Sequence, residues 1–459
     1  MVIFAAVLGS GIAFLDGSVV NSALPHIRRT YDSSLSSQQW VVTGYLLTLG
    51  SLLVVGGSLG DLYGRRKMFV YGLVGFSVTS MLCGLAPSVG VLIAARVLQG
   101  VSAALLVPGS LAMLSSVFHP DDRAKAIGSW SGLAGASTAV GPFLGGWLID
   151  TVSWRWVFLI NPPIAVAAIV VALRSVPETR GDDHGAQIDV PGALTLSLGL
   201  AGVVYALIEG PAAGWKTFAV VAAAVGVALL VAFAFIEVQS SHPMVPLSLF
   251  RSRLFAGTNA ATFVIWGAIG TVFFFLTIHL QDDLGYSALE AGSASLPVTV
   301  MMLFFAAKSG ALAQRIGPRL QMTVGPLFVA ASFLLMARIE SGSSYLVGVL
   351  PSVLVFGVGL VITVAPVTAT VLAAVDDTHV GIGSAINNAV ARVASLLAIA
   401  VLPALAGATG RGASLSDGYA KAMVICAGLA TLGAVICALT VDNREARPHP
   451  ASTNPVGMH

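Results

Sequence analysis

Long apolar runs separated by short polar breaks occupy nearly the whole chain. A helix that crosses a bilayer needs about 20 predominantly apolar residues. Fourteen stretches reach that size, at about 2–24, 39–60, 68–86, 90–117, 124–149, 154–174, 191–210, 216–237, 255–281, 289–313, 320–338, 344–373, 381–408 and 418–441. The seventh and eighth are parted only by the turn Glu209-Gly210-Pro211-Ala212-Ala213-Gly214-Trp215-Lys216. A twelve-span reading would leave two apolar stretches outside the bilayer, so fourteen spans are expected. The first stretch lacks a basic leader, contains Asp16 and Asn21 and outruns the apolar region of a signal peptide, which makes it the first span.

Composition agrees with the pattern. Of 459 residues, 56% are hydrophobic and 10% charged, at a mean hydropathy of +0.89; soluble domains carry about 25% charged residues. A soluble enzyme, a disordered chain and a fibre are excluded. The 50 glycines follow no Gly-X-Y period and suit close helix packing in lipid. A net charge of +2 names no partner, and no basic run, zinc spacing or phosphate-cradling loop points to nucleic acid, metal or ATP. Cys83, Cys426 and Cys437 lie in apolar stretches and read as small packing residues. With the N-terminus placed in the cytoplasm, fourteen of the 23 Lys and Arg fall in cytoplasmic loops and seven in outer loops. The positive-inside rule therefore puts both termini in the cytoplasm. The Ala-, Val- and Gly-rich composition is compatible with a high-GC bacterium, and the expected location is a bacterial cytoplasmic (inner) membrane.

An internal repeat divides the spans. Gly57-Ser58-Leu59-Gly60-Asp61-Leu62-Tyr63-Gly64-Arg65-Arg66 follows the second span, and Gly310-Ala311-Leu312-Ala313-Gln314-Arg315-Ile316-Gly317-Pro318-Arg319 follows the tenth. Gly, Leu, Gly and Arg match at an offset of 253, and Gly128-Ser129 echoes Gly383-Ser384 at 255. Repeated halves with a site between them characterise transporters; chance likeness among Gly-rich helices is the alternative. The expected organisation is an N-terminal six-helix bundle (1–174), two inserted helices with flanking loops (175–254), a C-terminal six-helix bundle (255–441) and a polar, disordered tail (442–459).

Three charges lie where solubility does not require them. Asp16 is deep in the first span, where a carboxylate costs about 2.5–3.5 kcal/mol and must face a cavity, find a partner or hold a proton. Arg96 in the fourth span lies at similar depth, roughly 10 Å below the outer boundary against roughly 13 Å for Asp16, and Gln99 shares its helix face. Proton coupling and a static buried ion pair both fit these two. Arg392 lies roughly 16 Å into the thirteenth span with Asn387 and Asn388 about a turn before it; this cluster either lines a central cavity or bonds helices together. Asn21, Trp130, Trp266, Phe274 and Gln281 are further cavity candidates, although aromatic residues in spans also face lipid or fill cores. Gly57, Asp61, Gly64, Arg65 and Arg66 form a tight loop suited to a cytoplasmic gate, or to anchoring topology alone. Gly141, Pro142, Gly145 and Gly146 in the fifth span suit a hinge or a sliding surface, as they would ordinary tight packing. Glu209, Asp282, Asp283 and Glu290 are expected to be solvated at the outer surface.

Together these residues resemble the major facilitator superfamily, in its 14-span drug:proton antiporter branch. Gly57–Lys67 is similar to the superfamily loop signature, Leu92–Gly100 to the fourth-span proton-relay motif, Gly135–Gly146 to the antiporter motif, and Leu15–Pro25 to the first-span signature of the branch. Trp154–Pro163 and Leu280–Ser287 also look like that branch. The resemblance covers nearly the whole chain. It implies a major facilitator fold of two pseudo-symmetric six-helix bundles plus two inserted helices. It further implies a monomer that exports amphipathic small molecules, cations included, in exchange for protons, with no cofactor beyond the coupling proton and with membrane lipids around it. A lipid translocase on the same fold and a non-transporting membrane sensor are the alternatives. Two departures stand out: Gln314 replaces the acidic residue of the loop signature in the second half, and Ala291–Pro297 is unusually rich in serine.

Overall fold

The computed structural model describes residues 1–118, 120–181, 188–375, 380–408 and 415–443; side chains at several positions between 120 and 139, and at 380 and 415–417, fall outside the description. The tail expected from 442 therefore lies outside the described residues from 444 onward, as do the surroundings of Gly128 and Gly135. Fourteen helical stretches follow one another: α1 (Val2–Tyr31), α2 (Leu35–Tyr63), α3 (Arg65–Gly84), α4 (Val89–Val117), α5 (Pro120–Thr151), α6 (Trp156–Ser175), α7 (Val190–Ala213), α8 (Thr217–Gln239), α9 (Arg253–Asp282), α10 (Ala288–Ile316), α11 (Pro318–Met336), α12 (Tyr345–Ala373), α13 (Val380–Leu405) and α14 (Leu415–Thr440). All except α5 contain a described stretch long and apolar enough to cross a membrane. Helix α5 has 32 residues and occupies the place of the fifth span. No strand occurs among the described residues. This is an all-α, multi-pass membrane protein.

Each expected span has its helix. The main difference is at α1, which runs through Pro25 to Tyr31 and stops at Asp32 in a left-handed conformation (φ 47°). Proline frees carbonyls in the preceding turn, which is tolerated in lipid only when other donors reach them. One does, as Gln281 Nε2 donates to Ser22 O (3.0 Å), and Gln38 Nε2 adds a bond to Leu24 O beside the proline (3.0 Å).

Helices α1–α6 pack into one bundle and α9–α14 into another, while α7 and α8 pack on each other and α7 lies against α2 and α13. Ser197 donates to Ser51 across the α7–α2 contact (3.0 Å), and Trp40 Nε1 donates to Glu209 (3.0 Å). Helix α8 is largely unburied by protein, as a lipid-facing helix is. Cys83, Cys426 and Cys437 are buried free thiols.

The sequence repeat is also a structural repeat. Gly64 and Gly317, 253 positions apart, join α2 to α3 and α10 to α11 with φ of +113° and +86°. Two residues after each glycine, a backbone N–H is caught by a side chain from beyond the last helix of its half. Arg66 N–H donates to Glu178 (3.1 Å), and Arg319 N–H donates to Asn443 (3.0 Å). A Cβ on either glycine would lie within 2.7 Å of that same side chain, so both the backbone angle and the space demand glycine. Gly64→Ala and Gly317→Ala should each destabilise the protein by about 1–2 kcal/mol. Melting temperatures of the purified protein should fall for both and stay unchanged for Gly428→Ala, where added volume meets open space.

Candidate functional site

The deepest polar group in the first bundle is assembled from five helices. Asp16 (α1) is 0% exposed and Arg96 (α4) 1%. Arg96 Nη1 is ion-paired with Asp16 Oδ2 and also donates to Gln99 Oε1 (2.8 Å), while its Nε donates to Val41 O on α2 (3.0 Å). The other carboxylate oxygen accepts from Gln99 Nε2 (3.1 Å) and from Asn161 Nδ2 on α6 (3.1 Å). Asn161 also donates to Ser80 on α3 (2.9 Å), which donates to Phe158 O (2.8 Å). The Arg96 guanidinium lies 4.3 Å from the Tyr45 ring centroid, and Tyr45 is pinned by a bond to Ala13 O (3.1 Å).

The depths of Asp16 and Arg96 along their spans agree with this pairing. Asn161, Ser80 and Tyr45 are functional candidates that the sequence reading left out. Asn161 has a visible signal: an amide directly ahead of Pro162-Pro163 at a helix start. Its Oδ1 is buried without a partner. Ser80 and Tyr45 carry no such mark, since hydroxyls are common in spans.

The remaining cavity candidates separate into groups. Gln99 and Phe274 do not line a space between the halves: Gln99 is enclosed with Asp16, and Phe274 is 0% exposed, edge-on to Phe275. Trp130 is tied to Ser10 within the first half (Nε1 to Oγ, 3.2 Å). Gln281 is buried and bridges the halves through Ser22 O. Asn387 bonds Asn259 and Thr262 on α9 (both 3.0 Å) and so knits the second half together. Trp266 is half-buried, its carbonyl accepting from Ser395 (3.0 Å). Asn21 keeps a buried, unpartnered Oδ1. Asn388 is exposed, and Arg392 is half-buried opposite the first bundle.

Contacts between the two bundles concentrate at the end carrying Tyr31. Arg28 and Arg29 both pair with Asp282 (3.0 and 3.2 Å). Asp150, at the end of α5, accepts from the N–H groups of Ala288 and Leu289 at the start of α10 (3.2 and 2.8 Å). Gln39 Nε2 reaches Ile399 O and Ala400 O on α13 (2.8 and 3.2 Å). Backbones touch here because glycines permit it. A Cβ on Gly146 would fall 2.3 Å from Ala288 O, and one on Gly292 2.0 Å from Pro142 O. Gly141 and Gly145 instead bring α5 against Ser18 and Val19 of α1.

The acidic residues expected to be solvated have partners. Asp282 carries the two arginines, Asp283 lies 2.6 Å from His279 Nδ1, Glu209 accepts from Trp40, and Glu290 completes a capping box with Ser287. Asp283 and Glu290 bond within their own helices, whereas Asp282 and Glu209 take side-chain donors from other helices, which a span-by-span reading cannot see.

At the opposite end, near Gly64, the loop stays within its own half. Asp61 pairs with Arg65 (2.8 Å), Arg66 Nη1 donates to Val176 O (3.0 Å), and the backbone bonds Arg65 N–Thr179 O (2.9 Å) and Gly181 N–Asp61 O (3.0 Å) fasten it to the segment after α6. Glu178, also 3.6 Å from Arg66 Nε, is the unforeseen member of this cluster. Among the described residues no three His, Cys, Asp or Glu side chains converge as a metal site needs.

Comparison with known proteins follows from this geometry. The family model described as Major Facilitator Superfamily matches residues 6–399. The chain is 35% identical to the puromycin resistance protein pur8 of Streptomyces alboniger, over 97% of this chain and 91% of the relative. It is 37% identical to the tetracenomycin C resistance and export protein of Streptomyces glaucescens (88% and 75%) and 33% identical to the methylenomycin A resistance protein of Bacillus subtilis (87% and 86%). In fold it is similar to a D-xylose-proton symporter (TM-score 0.69, 15% identity, 97% of this chain and 99% of that one). A POT family transporter gives a TM-score of 0.70 at 12% identity (95% and 94%).

Removing the carboxylates at the Tyr31 end should loosen its closure. In a background without the native cysteines, Asp150→Ala with Asp282→Ala should speed alkylation of Ser22→Cys by a water-soluble maleimide about five-fold or more, since such exposed contacts contribute about 0.2–1 kcal/mol each. An unchanged rate would show that these bonds do not hold that end shut.

Proposed function

Because the chain belongs to the Major Facilitator Superfamily, we propose that it is an efflux transporter that exports amphipathic drugs or toxic small molecules across the bacterial cytoplasmic membrane in exchange for protons. Both termini lie in the cytoplasm in this reading, so the Tyr31 end is external. The conformation described above is then closed to the outside. The proteins similar over most of the chain are antibiotic resistance and export proteins, which supports the cargo class.

The observation that carries the coupling mechanism is the position of Asp16. One helix, α1, holds both the enclosed carboxylate and part of the closure between the bundles, through Ser22, Arg28 and Arg29. Among the described residues, every side-chain hydrogen bond to Asp16 comes from a donor: Arg96, Gln99 and Asn161. A proton arriving on Asp16 would place an O–H where donors already point. It would also leave Arg96 buried without a counter-charge. Breaking a buried pair in this way costs about 3–5 kcal/mol, enough to shift α1 relative to α4 and reverse a two-state equilibrium. Alternating access then follows as rocking of one bundle against the other. At ~150 mV one inward proton supplies about 3.5 kcal/mol, a few-hundred-fold gradient.

Asp61, Arg65, Arg66 and Glu178 brace the cytoplasmic end of the first bundle, so their influence on the gate is exerted through α2 and α3. The Gly141–Gly146 segment supplies the surface on which α5 slides. The working unit is a monomer without a bound cofactor.

In inside-out vesicles energised by an imposed pH gradient, Asp16→Asn should abolish gradient-driven uptake of an exported drug while leaving exchange down the drug's own gradient measurable. Uptake that follows the pH gradient as in the wild type would remove Asp16 from the coupling mechanism.

A further inference from the structure

Arg392 differs from the other intramembrane charges. Asp16 and Arg96 neutralise each other inside the first bundle, whereas Arg392 makes no hydrogen bond or ion pair among the described residues. It sits near the middle of α13, and its guanidinium lies 5.4 Å from the ring centroid of Phe14 on α1, across the gap between the halves. On its other side is α2, where a Cβ on Gly50 would be 3.2 Å from the Arg392 Cβ. Its nitrogens are not among the fully buried, unpartnered atoms, so they keep some access to unfilled space.

The helix face that carries Arg392 locates that space. Ser384, Asn388 and Arg392 are spaced by four residues and share one side of α13. Asn388 is exposed and Arg392 half-buried, whereas Leu396 and Ile399 are buried and Ile399 is bonded to Gln39. The face therefore runs from open, near Gly64, to sealed, near Tyr31, with Arg392 at the boundary. A cation at that depth with a ring face but no acceptor or counter-charge beside it is costly and marks a path for substrate or ions. The carboxylate of the first bundle is already committed to Arg96, and Phe14 offers only a ring face.

We propose that Arg392 anchors an acidic oxygen group of the substrate, so that the cargo of this transporter is an apolar molecule carrying a carboxylate or ionised phenol. A guanidinium presents paired N–H donors that fit a carboxylate edge-on, and it keeps its charge at every physiological pH. The Phe14 ring beside it packs against the apolar body of the ligand, and Asn388, one turn toward the open end, offers its amide oxygen and second N–H while its Nδ2 donates to Ser384 O (3.1 Å). A cationic drug would meet like charge at this point. The inference deepens the efflux reading by naming the substrate class; binding itself does not depend on transport.

The test uses the full-length purified protein with 2-naphthoate as the probe and 2-naphthamide as its uncharged match. Naphthoate fluorescence should report saturable binding that naphthamide does not compete away. Arg392→Gln should weaken binding about ten- to hundred-fold at unchanged melting temperature, the range for losing a charge-assisted contact, and Arg392→Lys, which keeps the charge without the paired donors, should fall between Arg392→Gln and the wild type. The proposal is overturned if Arg392→Gln binds naphthoate as the wild type does, or if naphthamide competes equally; Arg392→Lys binding as tightly as the wild type would overturn the edge-on guanidinium contact. Transport is read separately, as pH-gradient-driven naphthoate uptake in inside-out vesicles. Arg392-dependent binding without uptake would contradict the efflux reading and leave the anion site standing; ethidium uptake that is indifferent to Arg392, with no naphthoate uptake or binding, would contradict the anion site and leave efflux standing.

Discussion

A carboxylate and a guanidinium held together in the apolar interior of a six-helix bundle constrain the rest of this molecule. Neither charge is tolerable there alone, and the attraction between them offsets desolvation only if the remaining donors and acceptors are also used. Gln99, Asn161 and Val41 O perform that task, and each comes from a helix that must therefore stay in register with α1. The first bundle is thus organised around a polar centre whose charges must stay matched. Because α1 continues from that centre to the contacts with the second bundle, a change in charge has a short mechanical route to the closure.

The two halves repeat their architecture and differ in their chemistry. The loops at Gly64 and Gly317 use the same left-handed glycine and the same capture of a backbone N–H two residues later. Yet the capturing group is ionic in one half and an amide in the other, and Asp61 has Gln314 as its counterpart. The second half likewise presents toward the first an arginine with no hydrogen bond or ion pair among the described residues, where the first has a closed pair. Coupling in one bundle and substrate recognition in the other is a division of labour that this asymmetry supports, and the glycine-lined contact of α5 with α10 lets the bundles meet without locking them.

Much of this was legible in the sequence because lipid imposes simple rules. Span length and the offset of 253 residues are written in hydropathy and spacing, and every helix except α5 carries a described stretch long and apolar enough to cross a membrane. The pairing of Asp16 with Arg96 followed from depth alone. What was hidden depends on rotation about helix axes, which hydropathy does not encode in spans that are apolar all round. Phe274 and Phe273 are neighbours, yet the first is sealed in the bundle while the second packs edge-on against Phe356 on α12. Asn387 and Asn388 are adjacent, yet one ties helices together and the other faces open space. Pro25 also misleads, because a proline ends soluble helices but persists in α1 once Gln38 and Gln281 reach the nearby carbonyls.

The central claim is that the charge on Asp16 sets which end of the protein is closed. Spin labels at Val152 and Ser341, exposed positions of the two bundles at the Tyr31 end, allow their separation to be measured by pulsed electron resonance as pH is varied without any ligand. The account predicts that lowering the pH shifts the wild type toward longer distances and that Asp16→Asn holds one distribution at every pH. The same pH response in both proteins would contradict it.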